Sequence, residues 1–208
     1  GGTDIGCQGS PFYKTPNIDR LAQTGMRFTQ AYSACTVCSP TRASILTGQY
    51  PARLHITDWI KGHIRPYAKL QVPQWTMYLP TNIINIAKVL KSSGYTTASI
   101  GKWHLGGREY YPDKQGFDIN IGGCDKGQPP SYFSPYKIPT ITDGPKDEYL
   151  TDREASEAVK FIERNKEKQF FLYLAHHAVH TPLMAKSNIV QKYKALRKEG
   201  SPHKNAIY

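Results

Sequence analysis

A helix-then-strand order that occurs twice predicts an α/β fold, with a mostly parallel central sheet and helices on both faces. Its first occurrence is a helix over residues 83–93, where Ile83, Ile86, Ala87 and Leu90 form one stripe ended by Gly94, followed directly by a strand over 95–100. In the second, Thr151-x-x-Glu154 reads as a capping box, Ala155, Ala158, Val159 and Ile162 line one helix face, and a buried strand over 169–175 follows. A third observation agrees: polar residues trail each strand, Lys102 and His104 after the first and His176, His177 and His180 after the second. Sheets of this kind bind ligands beyond the C-terminal ends of their strands.

The remaining elements are read from local signals. Thr15-Pro16 supplies an N-cap and a proline at the first helical position, and Gly25 closes that helix. Residues 27–33 mix β-formers with polar residues in rough alternation, which predicts a strand delivering Cys38 through a loop. Between Pro51 and Pro80 the pattern breaks down, with Pro66, Pro73, Trp59 and Trp75 among scattered charges, so an ordered loop region is expected. Long loops in compact domains are usually functional, and this one follows the Cys38 stretch, so Trp59, His63 and Arg65 are candidate substrate contacts, with Trp75 and His55 behind them. Residues 106–145 are rich in Gly, Pro, Tyr and Asp and are read as irregular.

The densest chemistry lies in Cys38-Ser39-Pro40-Thr41-Arg42, ahead of a short apolar turn, Ile45-Leu46, that ends at Gly48. Cys38 then sits near a helix N-terminus, where unpaired N–H groups and the helix dipole favour an anion. Arg42 adds a fixed charge one turn on. Together with Lys102, His104 and the histidines at 176, 177 and 180, this constellation suits cleavage of an anionic ester.

Composition sets the bounds. The 208 residues suffice for one sizeable core, and no run approaches the ~18 apolar residues of a membrane span. The formal charge of +11 would steer a polyanion, but Lys186, Lys192, Lys194, Arg197, Lys198 and Lys204 account for much of it and are more simply a solvated helix face. Neither a nucleic-acid partner nor a membrane span is expected. The four cysteines give a single C-x-x-C at Cys35 and Cys38 with no second pair, so no zinc site is predicted. Cys7, Cys35 and Cys124 are read as buried small residues, with a disulfide open in an exported protein.

Cys38-Ser39-Pro40-Thr41-Arg42, with Leu46-Thr47-Gly48 behind it, resembles the sulfatase pattern C-x-P-S/T-R-x-x-x-L-T-G. The run from Gly94 to Ile100 into Gly101-Lys102-Trp103-His104 resembles the second sulfatase motif, a strand entering G-K-W-H. Thr41 stands where many members carry Ser, and the hydroxyl is kept. The resemblance implies an alkaline-phosphatase-like α/β fold and hydrolysis of a sulfate ester, on a carbohydrate or similar compound, in an exported or lysosomal compartment. It implies that Cys38 is oxidised to formylglycine by a formylglycine-generating enzyme, and that the hydrated aldehyde attacks sulfur. Arg42 would hold the formylglycine hydroxyls, Lys102 would bind sulfate, His104 would take a proton to expel it, and His180 would contact the bridging oxygen. His176 and His177 are left as structural.

The resemblance also implies Ca2+, with residue 38 as a ligand and the Asp and Asn ligands outside this chain; Asp4 matches a later, non-ligand aspartate. The chain is accordingly expected to be the N-terminal part of a sulfatase catalytic domain, lacking the upstream metal-binding strand and the C-terminal portion, and to be inactive alone. Two other readings stand beside this one. A phosphonate or phosphate monoester hydrolase of the same superfamily would use the same modified cysteine, and a non-catalytic polyanion-binding module would use the basic surface.

Overall fold

The computed structural model describes residues 2–62, 66–197 and 205–208. In chain order these form α1 (Pro16–Thr24), α2 (Cys38–Thr47), the single-turn α3 (Pro51–Leu54), α4 (Ile86–Ser92), β1 (Thr96–Gly101), β2 (Ile119–Ile121), α5 (Leu150–Asn165), β3 (Phe170–Ala175) and α6 (Ser187–Ala195). They fall into two units, Gly1–Tyr32 with Leu183–Tyr208, and Ser33–Pro182.

The larger unit is organised by a parallel sheet of order β2-β1-β3. Its register aligns Thr96 with Phe170 through Gly101 with Ala175, and Ala98 with Ile119 through Ile100 with Ile121. Successive side chains of a strand point to opposite faces, and both faces are covered. Ala98, Ile100, Phe170 and Leu172 pack with Ala158 and Phe161 of α5. Phe171 and Tyr173 turn the other way, against a core of Ala43 and Leu46 from α2, Ala87 from α4, Trp103 and Phe117. The predicted α/β layering therefore holds. Parallel strands also leave their C-terminal ends side by side. Gly101, at φ +97°, brings β1 so close to β3 that a Cβ there would lie 2.2 Å from the Ala175 carbonyl oxygen. Only glycine meets both demands, and the Lys102 N–H completes the seam by donating to that carbonyl at 2.7 Å.

Several sequence expectations are corrected. Residues 27–33 form no strand; they are exposed along their length, and alternation alone does not make a strand without a neighbouring ladder to take its backbone groups. Cys38 is reached through a loop instead. The stretch read as irregular after Gly106 contains β2, a short strand paired with β1. The helix expected from Ile83 starts at Ile86, because the buried Asn85 side chain caps it by accepting from the Lys88 N–H. The capping box fails: α5 begins at Leu150 with Tyr149 as N-cap, and no side chain caps it. The inward face of α5 is Leu150, Glu154, Ala158 and Phe161, whereas Val159 and Ile162 are exposed. β3 is half-buried rather than buried. Cys7, Cys35 and Cys38 are half-buried and Cys124 is buried, all four as free thiols.

In the smaller unit, Phe12 is buried and packs edge-on against Tyr193 of α6, and Tyr13 lies 5.4 Å from the Tyr208 ring. α1 ends at Gly25 as expected, but Thr15 does not cap it with its side chain. The Thr15 hydroxyl accepts from the Gly6 N–H and donates to Asp19. α6 carries exposed Lys192 and Lys194, as read from the sequence; Lys198 and Lys204 lie outside the described residues.

Candidate active site

Cys38 is the first residue of α2, after Val37 as N-cap, and the helix closes at Gly48, whose N–H donates to the Ser44 carbonyl at 2.8 Å. The strand end supplies what faces it. The Cys38 Sγ lies 3.2 Å from Nδ1 of His104, and the half-buried sulfur also meets the ammonium of buried Lys102. Burial pushes the Cys38 thiol up, but the His104 hydrogen bond and the charges of Lys102 and His104 outweigh it and bring the thiol down to about 6. Lys102 is lowered to about 8, chiefly by burial and further by Arg42, with Cys38 working the other way. The Cys38 thiol is thus drawn toward its thiolate, whereas Lys102, though lowered, is still mostly a cation at neutral pH.

His104 is held on several sides. Its φ of 59° lies in the left-handed region, which costs a non-glycine residue of order 1 kcal/mol. Its N–H donates to the Cys124 carbonyl at 3.0 Å and its carbonyl accepts from the Ser39 hydroxyl at 3.0 Å. Ser39 also accepts from the Ile60 N–H at 3.1 Å, which ties α2, the loop after α3 and the G-K-W-H turn together. On the ring, Nε2 meets the carbonyl of Ile60. A carbonyl only accepts, so Nε2 donates there, and Nδ1 is left to pair with residue 38, as donor to a Cys38 thiolate or as acceptor from a hydroxyl at that position. Gly127 seals the other side, since a Cβ there would lie 2.5 Å from Cε1 of His104.

Arg42 Nη1 donates to the Lys102 carbonyl at 2.8 Å, and the Tyr173 hydroxyl lies 3.5 Å away. Its Nε is buried with no hydrogen-bond partner among the described residues. A buried cationic donor left unpaired is costly, so this corner is built for an acceptor. His180 is half-buried, and Nδ1 lies 3.1 Å from the Thr181 carbonyl. Burial, and then the charges of Lys102, His104 and Arg42, hold its imidazole below the usual histidine range.

Cys38, His104 and His180 line one open cavity of ≈ 1390 Å³, whose other walls include Trp59, Tyr67 and Lys126. The structure therefore brings together the sequence-predicted Cys38, Arg42, Lys102, His104 and His180, and sets Trp59 on the cavity wall. His63 and Arg65 lie outside the described residues. His176 and His177, read as structural, both bond the carboxylate of Glu154. Sequence reading missed Ser39, Gly127 and the Ile60 carbonyl, for which no local signal exists, and Lys126, one of many surface-type lysines.

A cysteine at a helix N-terminus, with an arginine one turn on in the same helix and a buried lysine and two histidines facing it from parallel strand ends, makes a cation-rich polar site in an α/β protein of the alkaline-phosphatase-like fold. The chain belongs to the sulfatase family, whose profile matches residues 1–205. It is 36% identical to N-acetylgalactosamine-6-sulfatase of Mus musculus, over 88% of this chain and 38% of that protein. Arylsulfatase A of Homo sapiens is 31% identical over 91% of this chain and 41% of its own length. Among solved structures, Ps i-CgsB in complex with k-i-k-neocarrahexaose superposes with a TM-score of 0.74 at 31% identity, covering 96% of this chain and 47% of that chain. The chain thus spans about two fifths of the curated relatives it matches.

Proposed function

We propose that this chain is the N-terminal part of the catalytic domain of a sulfuric ester hydrolase that acts on a sulfated carbohydrate through a formylglycine made from Cys38. The observation that carries this reading is the group around residue 38, where Arg42 with its unpaired buried Nε, the Lys102 ammonium and His104 Nδ1 are brought together. Carbohydrate as the substrate class is supported by the relatives, an N-acetylgalactosamine-6-sulfatase and a structure in complex with k-i-k-neocarrahexaose.

A hydrated aldehyde at residue 38 would supply the hydroxyl nucleophile that a thiol cannot. Lys102 would neutralise the sulfate oxygens as they gain charge, and Arg42 would hold the hydroxyls of residue 38. One hydroxyl would bond to sulfur and give up its proton to solvent as the bond from sulfur to the bridging oxygen breaks. His180, reaching that oxygen, would protonate the leaving alcohol from its imidazolium form, which burial and the neighbouring cations make a stronger acid. His104 would then accept the proton of the second hydroxyl at Nδ1, which releases sulfate and restores the aldehyde.

Calcium is implied by the family resemblance. Among the described residues no group of three or more His, Cys, Asp or Glu side chains could hold a metal, and the cleft beside Cys38 that includes Cys35, Thr41, Arg42 and Tyr173 has no carboxylate in its lining. These residues do not by themselves fit a hard dication that needs several oxygen ligands. The proposed ion would take its Asp and Asn ligands from outside this chain, with residue 38 as the ligand from within it. A formylglycine-generating enzyme is the partner this chemistry requires, and an exported or lysosomal compartment is the proposed location; no helix among the described residues is long and apolar enough to cross a membrane.

The test is mass spectrometry of the residue-38 peptide from active full-length protein, together with rates on matched sulfate and phosphate monoesters. Formylglycine at residue 38 and a preference for sulfate are expected. An unmodified thiol throughout competent enzyme would end the mechanism, and a preference for phosphate would reassign the substrate.

A further inference from the structure

Glu154 is fully buried in the middle of the fold, yet it takes no part in the residue-38 site. Both its oxygens are used: Oε2 pairs with His176 Nδ1 at 2.8 Å and Oε1 with His177 Nδ1 at 2.5 Å. Burial pushes its carboxyl up, but the two histidine bonds win and hold it below the usual range. A carboxylate placed so deep is costly unless fully paired, so it fixes the start of the turn after β3.

The buried Tyr132 fixes the other end. Its hydroxyl lies 2.7 Å from the His177 carbonyl and 3.0 Å from the His180 carbonyl, and accepts from the His180 N–H at 3.0 Å. One proton shared by two carbonyls and one accepted bond occupy the group. Apolar packing does little for this turn, because Val179 is 50% exposed. Tyr132 and α5 are also one piece, since the Leu150 N–H donates to the Tyr132 carbonyl at 2.8 Å.

We infer that Tyr132 and Glu154 are positioning residues: a buried polar bracket holds the turn from His176 to His180 and thereby sets the His180 imidazole over the residue-38 cavity. The inference rests on the proposed role of His180 at the bridging oxygen. A displaced His180 matters little when the leaving group is acidic and much when it is not, because only a poor leaving group needs its proton.

The full-length enzyme is assayed with aryl sulfates from 4-nitrophenyl to phenyl sulfate. Tyr132→Phe is expected to leave 4-nitrophenyl sulfate turnover close to wild type and to lose at least ~10-fold in kcat on phenyl sulfate, part of the ~10² or more that a positioned acid contributes. His180→Ala should show the same slope more steeply, and Tyr132→Phe should add nothing to it. Glu154→Gln should follow Tyr132→Phe; if that variant fails to fold, Tyr132→Phe alone decides. Equal losses on all esters, or losses that add to those of His180→Ala, overturn the bracket. A full-length protein that cleaves no sulfate ester sinks the sulfatase reading separately. The bracket is then judged by amide exchange at His180, expected to be about fivefold faster in Tyr132→Phe, the worth of one hydrogen bond, and overturned if unchanged.

Discussion

His104 presents Nδ1 to Cys38 Sγ at 3.2 Å while its other ring nitrogen is spent on the Ile60 carbonyl. The loop backbone thereby holds the ring so that Nδ1 is the nitrogen that faces residue 38. A ring held this way can exchange a proton at one nitrogen only, and the geometry sets where.

Removing either partner at the strand end should therefore disable the site without unfolding the protein. Lys102→Ala and His104→Ala in the full-length enzyme are each expected to cut sulfate ester turnover by at least ~10², the scale for a positioned charge or base. Purified, folded variants with near-normal kcat would show these residues to be misassigned.

In protein that has escaped modification, Cys38 should titrate well below an ordinary thiol. Its folded value is depressed to about 6, so the thiolate is present above that pH and lost below it. Iodoacetamide alkylation of Cys38, followed by peptide mass spectrometry, should reach half its maximal rate near pH 6. Lys102→Ala should move that midpoint upward by removing a nearby cation. Cys124, whose thiol burial pushes up, should stay unlabelled in the folded protein across the same range. A midpoint for Cys38 in the ordinary thiol range would contradict the geometry.

Gly127→Ala tests the wall behind the base. The added Cβ would lie 2.5 Å from His104 Cε1, and the ring is tethered on its far side, so the imidazole must shift. A misplacement of ~1 Å in a reacting group costs about 10²-fold; kcat on 4-nitrophenyl sulfate should fall on that scale with the thermal midpoint nearly unchanged. Full activity in a folded variant would mean that the ring position is not critical.

The loop region after α3 should govern substrate choice. Trp59 stands on the cavity wall, and an aromatic face suits the apolar face of a sugar. Trp59→Ala is expected to lower kcat/KM for a sulfated oligosaccharide far more than for 4-nitrophenyl sulfate, and His63 and Arg65 belong to the same comparison. Equal losses on both substrates would point to damage in the shared sulfate site.

The sequence by itself determined the chemistry-bearing residues and the layer order. Cys38, Arg42, Lys102 and His104 stand in contiguous motifs, and His180 follows an apolar strand; such signals survive in one dimension because helix caps, strand ends and glycine turns are local. The sulfatase relationship was legible for the same reason. What only the tertiary structure decided is how those residues are held. Glu154, which local spacing assigns to a helix cap, is turned inward because its partners, His176 and His177, arrive from a strand end some twenty residues away. Residues 27–33 alternate like a strand but gain no neighbour to bond. Ser39, the Ile60 carbonyl, Gly127 and Tyr132 act through contacts that span the chain, and a hydrogen bond or a close approach between distant segments leaves no mark on either segment's own pattern.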